Sequence, residues 1–254
     1  MTTRVRLAGI SIDRVTMNQA VQQLLAWAKT PAATCRYVVT PNVDHAVLFQ
    51  NNAALRAAYD DAALVLADGM PLVWTSRLLR RSLPERVTGS DLVPALFAAI
   101  PHGRSLRVYL LGAAAGVADR AAANIGRRWP AVEIVGTYSP PLGFEHDPAE
   151  NAAILERIAA ARPDVLVVGL GAPKQELWVH AHRGQIAAPI ALCVGATIDF
   201  LADHIARAPV WMRTSGLEWL HRLASQPRRL AMRYARDAWI FPRLVLRDLF
   251  AAKG

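Results

Sequence analysis

Seven short apolar runs, each ending at a glycine or a polar turn, set the strongest limit on what this chain can fold into. They are RLAGI (6–10), RYVVT (36–40), ALVLA (63–67), RVYLL (107–111), VEIVG (132–136), DVLVVGL (164–170) and IALCVG (190–195). Longer amphipathic segments at 17–28, 44–59, 71–80, 91–100, 116–129, 149–161 and 174–185 lie between them, the fourth capped by Ser90. Continuous apolar runs suit strands buried on both faces, and strand–helix alternation predicts a mainly parallel, doubly wound, Rossmann-like α/β sheet with helices on both faces. The length, 254 residues with 53% apolar content, suffices for one large core plus an appendage.

Charge divides the chain. From His204 onward there are ten Lys/Arg and three Asp/Glu, a balance of +7 out of the total of +9. Three of the seven Trp also fall there. We read residues 1–203 as the α/β core and 204–254 as a helical, Arg-rich appendage suited to an anionic membrane surface, a diphosphate or a nucleic acid. Pro227 opens a last helix on which Arg229, Arg233, Arg236, Arg243 and Arg247 share one stripe, while Leu230, Tyr234, Phe241 and Val245 face elsewhere. Pro242 kinks or ends that helix. The N-terminus lacks a signal-peptide layout, and no run is long enough to span a membrane. Cys35 and Cys193 sit in separate apolar runs and read as buried free thiols. No Cys/His cluster has zinc-ligand spacing.

In an open α/β sheet, ligands bind at the carboxyl ends of the strands. Asp68 stands there, between the run ending at Ala67 and a helix opened by Pro71. It is either a catalytic carboxylate or a turn aspartate bonding its own backbone. Four further turns carry polar groups or glycine. Thr40 and Asn42 flank Pro41. Gly112 sits in LLGAAAG, which lacks the full dinucleotide spacing. Gly171, Lys174, Gln175 and Glu176 line a helix start that favours anions. Asp199 lies among apolar neighbours and needs a partner. Such turns can converge into a pocket.

Taken in order, TPN (40–42), ADGMP (67–71), RVTGSD (86–91), YLLG (109–112), GLGAPKQELW (169–178), GATIDFLAD (195–203) and GLEWLHRLASQPRRLAMRY (216–234) resemble the WecG/TagA/CpsF family of bacterial glycosyltransferases over nearly the whole chain. The resemblance implies an inverting, metal-independent transferase, with no cofactor, that moves a sugar from a UDP-sugar to a polyprenyl-diphosphate-linked sugar. It implies a cytoplasmic enzyme held peripherally at the inner face of the membrane, in cell-surface or exopolysaccharide synthesis. Glucose, N-acetylmannosamine and its uronic acid are the donor sugars in view. Asp68 matches the family's proposed base, and Thr40 and Asn42 match residues near the reacting centre. Arg86 matches a motif arginine that helps with the donor or acceptor, and Gln175 and Asp199 match pocket positions associated with the nucleotide-sugar. Arg222, Arg228, Arg229 and Arg233 are the tail arginines that would complete the site. The tail could fold over its own pocket or a neighbouring subunit's, which leaves a homo-oligomer open.

The chemistry agrees with the residues. One base suffices for an inverting displacement. D-x-D, which holds a metal in many such enzymes, does not occur, and arginines can stabilise a departing diphosphate instead. The competing readings are a basic nucleic-acid-binding protein and an inactive membrane-surface scaffold. Against the first, the charge lies at one end and no basic stripe crosses the sheet turns.

Overall fold

The computed structural model describes residues 3–251. It opens with an antiparallel hairpin, β1 (Arg4–Leu7) and β2 (Ile10–Asp13), where the apolar pattern predicted one strand over 6–10. Ala8 (φ 48°) and Gly9 (φ 86°) form the two-residue turn between them. Positive φ at both positions matches the twist of the flanking strands. The chain then runs through α1 (Met17–Ala28), β3 (Arg36–Val39), α2 (Val43–Phe49), α3 (Ala53–Asp60), β4 (Leu64–Val65), α4 (Met70–Leu78) and α5 (Gly89–Ala98). Next come β5 (Leu106–Gly112), α6 (Val117–Arg128), β6 (Val132–Tyr138), a 3₁₀ turn (Phe144–His146), α7 (Pro148–Ala161), β7 (Val165–Gly169), α8 (Lys174–His182) and β8 (Ile190–Cys193). Four helices close it: α9 (Thr197–Leu201), α10 (Val210–Thr214), α11 (Glu218–Ser225) and α12 (Pro227–Ala251).

The six strands β3–β8 form one sheet in the order β4-β3-β8-β7-β5-β6, with every pairing parallel. Alternate strand residues bury into two separate layers. Val39, Leu111, Val168 and Cys193 pack against α2, α3, α7, α8 and α12. Val38, Leu110, Val167 and Leu192 pack against α1, α5, α6 and α9. The fold is therefore the parallel, Rossmann-like α/β sheet with helices on both faces. Cys35 and Cys193 are buried and free.

Two local expectations are corrected. The segment 44–59 is two helices, because Asn52 starts α3 by accepting a hydrogen bond from Leu55 N (2.9 Å) on its side chain. α5 begins two residues earlier than predicted and is capped by Thr88, whose Oγ1 accepts from Asp91 N (3.1 Å), not by Ser90. α12 continues through Pro242 to Ala251. Gly112 is required by packing. Its φ is +116°, and a Cβ there would lie 2.5 Å from the Gly169 carbonyl oxygen, so β5 and β7 could not close at this point.

The last helix also has a face that the arginine stripe concealed. Leu230, Phe241 and Leu244 are buried. Met232, Trp239, Leu246 and Phe250, spaced i, i+7, i+14 and i+18, form an exposed apolar stripe on the opposite side. Among the described residues no helix is long and apolar enough to cross a membrane.

Candidate active site

A cavity of about 350 Å³ opens beyond the carboxyl ends of β3, β4 and β8. Its core wall carries Asn42 after β3, Asp68 after β4, Arg86 before α5, and Val194, Ala196, Thr197 and Phe200 after β8. Its other wall comes from the tail: Glu218, Trp219 and Arg222 on α11, and Arg233, Tyr234, Asp237 and Phe241 on α12. The turns after β3, β4 and β8 thus meet as expected. Gly112, Gly171, Lys174, Asp199 and Arg228 do not line this cavity. Lys174 instead pairs with Glu145 at 2.7 Å and lies over the Phe144 ring. The Arg229 side chain lies outside the described residues.

Asp68 is fixed through its backbone. Its N–H donates to the Pro41 carbonyl (2.8 Å), and Gly69, at φ +138°, turns the chain into α4. Among the described residues no group donates a hydrogen bond to its carboxylate, so the backbone-bonding alternative is not what holds it. Burial pushes the Asp68 carboxyl up to about 6, and the negative charge of Glu218 adds to that. Arg86, Arg222 and His45 pull in the opposite direction. A base in that range is ionised at neutral pH yet accepts a proton readily.

Beneath the cavity lies a buried polar network. Asn42 caps α2, and its Oδ1 accepts from His45 N (3.3 Å) and lies 2.9 Å from His45 Nδ1. His45 Nε2 reaches Glu176 Oε1 at 3.3 Å. Gln175 Nε2 donates to the same oxygen (2.8 Å), while its Oε1 accepts from Gly195 N (3.1 Å). Burial opposes the imidazolium, but the hydrogen bond and charge of Glu176, with Asp44 and Asp68 nearby, raise the His45 pKa on balance. Glu176 and Gln175 are therefore buried supports of the floor, where the sequence pattern suggested exposed first-turn ligands. Thr40 is buried too. Its Oγ1 donates to the Cys193 carbonyl (3.1 Å) and ties β3 to β8.

The tail wall is held by ion pairs. Arg86 bridges Asp91 (3.2 Å) and Glu218 (3.0 Å), and Asp91 also takes Arg207 (2.7 Å) and Arg213 (3.5 Å). These partners keep the Asp91 carboxyl below its usual range against the effect of burial. Asp44 pairs with Arg233 (3.5 Å) and with Arg236. Sequence reading missed His45, Asp44, Asp91 and Glu218. The Asn42-x-x-His45 spacing of a capping box was the one local signal for His45. The partners of the others lie 116 to 192 residues away, except for Arg86 and Thr88 beside Asp91.

Comparisons with known proteins fit this arrangement. The family described as Glycosyl transferase WecG/TagA/CpsF matches residues 5–254. The chain is 27% identical, over 221 residues, to proteins named N-acetylglucosaminyldiphosphoundecaprenol N-acetyl-beta-D-mannosaminyltransferase from Staphylococcus aureus strains NCTC 8325 / PS 47, COL and MRSA252. The matched region covers 87% of this chain and 84% of each of theirs. A match across residues 5–254 shows that this chain belongs to the WecG/TagA/CpsF family and is a glycosyltransferase.

Proposed function

We propose that the protein is an inverting transferase that moves a sugar from a UDP-sugar to a sugar carried on a polyprenyl diphosphate. The carrying observation is the cavity itself: Asp68, whose carboxylate accepts no hydrogen bond among the described residues, shares it with Arg86 on the same wall and with Arg222 and Arg233 on the tail wall. The Staphylococcus aureus relatives are named for transfer to a diphosphoundecaprenol-linked sugar, which supports the acceptor class. In the step we propose, Asp68 takes the proton of the acceptor hydroxyl as its oxygen bonds to the anomeric carbon. The bond from that carbon to the diphosphate oxygen breaks, and UDP leaves with the electron pair. The arginines stabilise the charge on the departing diphosphate.

Glu218 competes with such a ligand, since it already occupies an Arg86 nitrogen. It also raises the Asp68 pKa. Glu218→Gln is expected to lower KM and to move the acid limb of kcat/KM to lower pH. Both are read from initial rates across pH 5–8.

Fixed arginine charge does the work that a bound cation does in D-x-D enzymes, so we expect transfer to continue in EDTA. Loss of activity that Mg²⁺ or Mn²⁺ restores would overturn the metal-independent reading. The deciding experiment is a donor screen. A short-chain polyprenyl-diphosphate-sugar is mixed with each UDP-sugar in turn, and UDP release and product mass are recorded. A product with one donor identifies the sugar, and release of UDP without a lipid-linked product overturns the acceptor class.

The exposed Met232, Trp239 and Phe250, beside a run of tail arginines, suit peripheral attachment to an anionic bilayer. The triple substitution to serine is expected to reduce co-sedimentation with phosphatidylglycerol vesicles at least about tenfold, since each side chain contributes on the order of 1 kcal/mol or more. Unchanged partition would remove this face as the anchor.

A further inference from the structure

A second cavity, of about 410 Å³, lies between the β1–β2 turn, the end of α2 and the end of α12. It is distinct from the Asp68 cavity: along α12 the nearest lining residues of the two, Pro242 and Arg247, are about 1.4 turns apart. Four arginines from four separate segments converge on it: Arg6 on β1, Arg56 on α3, Arg81 after α4 and Arg247 on α12. Among the described residues the only carboxylate in its wall is that of Asp248, which already accepts from Ala8 N (2.6 Å) and pairs with Arg247 (3.5 Å).

Three of the guanidinium groups are held in place by neutral acceptors. Arg56 Nη1 donates to the carbonyls of Phe49 and Gln50 (2.9 Å each). Arg81 Nη1 donates to the Arg6 carbonyl (3.0 Å), and Arg247 Nη1 donates to Gln50 Oε1 (3.0 Å). Each guanidinium has five N–H donors, so most of them remain available. Among the described residues the Arg6 guanidinium meets no hydrogen-bond acceptor. Four cations against one engaged carboxylate repel one another unless an anion joins them.

We propose that this cavity binds a phosphate-bearing anion, a phosphate ester or a diphosphate. A doubly charged phosphate has three oxygens to meet several guanidinium forks, and it balances the excess charge better than a single carboxylate does. The volume leaves room for the group that carries the phosphate, against the Phe49 ring. Two sources share this chemistry: the headgroup of an anionic phospholipid, and a soluble phosphate or diphosphate.

The test uses the full-length protein and Arg6→Gln/Arg247→Gln, which removes two exposed members and leaves the bracing Arg56 and Arg81 intact. Arg104→Gln/Arg128→Gln, with the same loss of charge elsewhere on the surface, is the control. Calorimetry with inorganic pyrophosphate at 150 mM salt is expected to show one fewer site per chain, or at least tenfold weaker binding at one site, in the first variant only. Equal binding by all three proteins, or equal loss in both variants, would overturn the proposal. Flotation with phosphatidylglycerol and phosphatidylcholine vesicles then separates the sources. Loss of phosphatidylglycerol binding beyond that of the control assigns the headgroup. Retained vesicle binding together with the lost pyrophosphate site assigns the soluble anion.

Discussion

Asp68→Asn retains donor binding and loses about 10²- to 10⁴-fold in kcat, the usual contribution of a general base. The residual rate loses its dependence on a group of pKa about 6, whereas the unsubstituted enzyme shows kcat/KM rising through that pH as the carboxyl ionises. Stability moves the opposite way. Burial pushes the folded carboxyl up to about 6 from an ordinary 3.8, so its contribution is fully present below 3.8 and is lost as pH rises through 6. At neutral pH the ionised group therefore costs the fold roughly 3 kcal/mol at most. The neutral amide removes that cost, and thermal melts should show Asp68→Asn a few degrees more stable than the parent at pH 7.5, with the gain gone at pH 4. Unchanged turnover would remove Asp68 as the base.

The second large effect lies one layer down. Glu176→Ala leaves His45 Nε2 and Gln175 Nε2 facing an apolar void, because Glu176 Oε1 is their shared acceptor. Glu176 is fully buried and His45 nearly so. Truncating one member of a buried ion pair typically costs about 3–5 kcal/mol. Urea titration is expected to show a loss of that order, and Glu176→Gln, which keeps one carbonyl acceptor, a smaller one. A loss below about 1 kcal/mol would mean that the pair does not brace the floor.

The strand-end logic made the site's centre legible. Asp68 and Asn42 are each placed by a local pattern, an apolar run followed by a turn, and the sheet brings those turns together; Arg86 came only from the family resemblance. The layer beneath was not legible in this way. Glu176 follows Lys174 and Gln175 in a polar triplet at a helix start, which looks solvated until the chain folds α8 against α2. Its partner His45 is 131 residues distant. The hairpin was hidden for a different reason: the run RLAGI reads as continuous, and only the positive φ at Ala8 and Gly9 breaks it. On α12, the eye follows charge, so the arginine stripe masked the apolar face formed by Met232, Trp239, Leu246 and Phe250.

The cavity has two walls drawn from distant lengths of chain, joined by the Arg86–Glu218 pair and by those of Asp44 with Arg233 and Arg236, with Asp91 tying Arg207 and Arg213 in beside them. Such a seam separates what each wall can change. Substitutions on the strand-end turns alter one side of the chamber and leave α11 and α12 in place. Substitutions on those helices reshape the other side and tune the charge that Asp68 meets, while the Pro41 carbonyl still holds its backbone in place. A lineage of such chains could therefore retain its chemistry while exchanging one partner molecule at a time, and chimeras cut near residue 203 are the natural way to transplant one preference without the other.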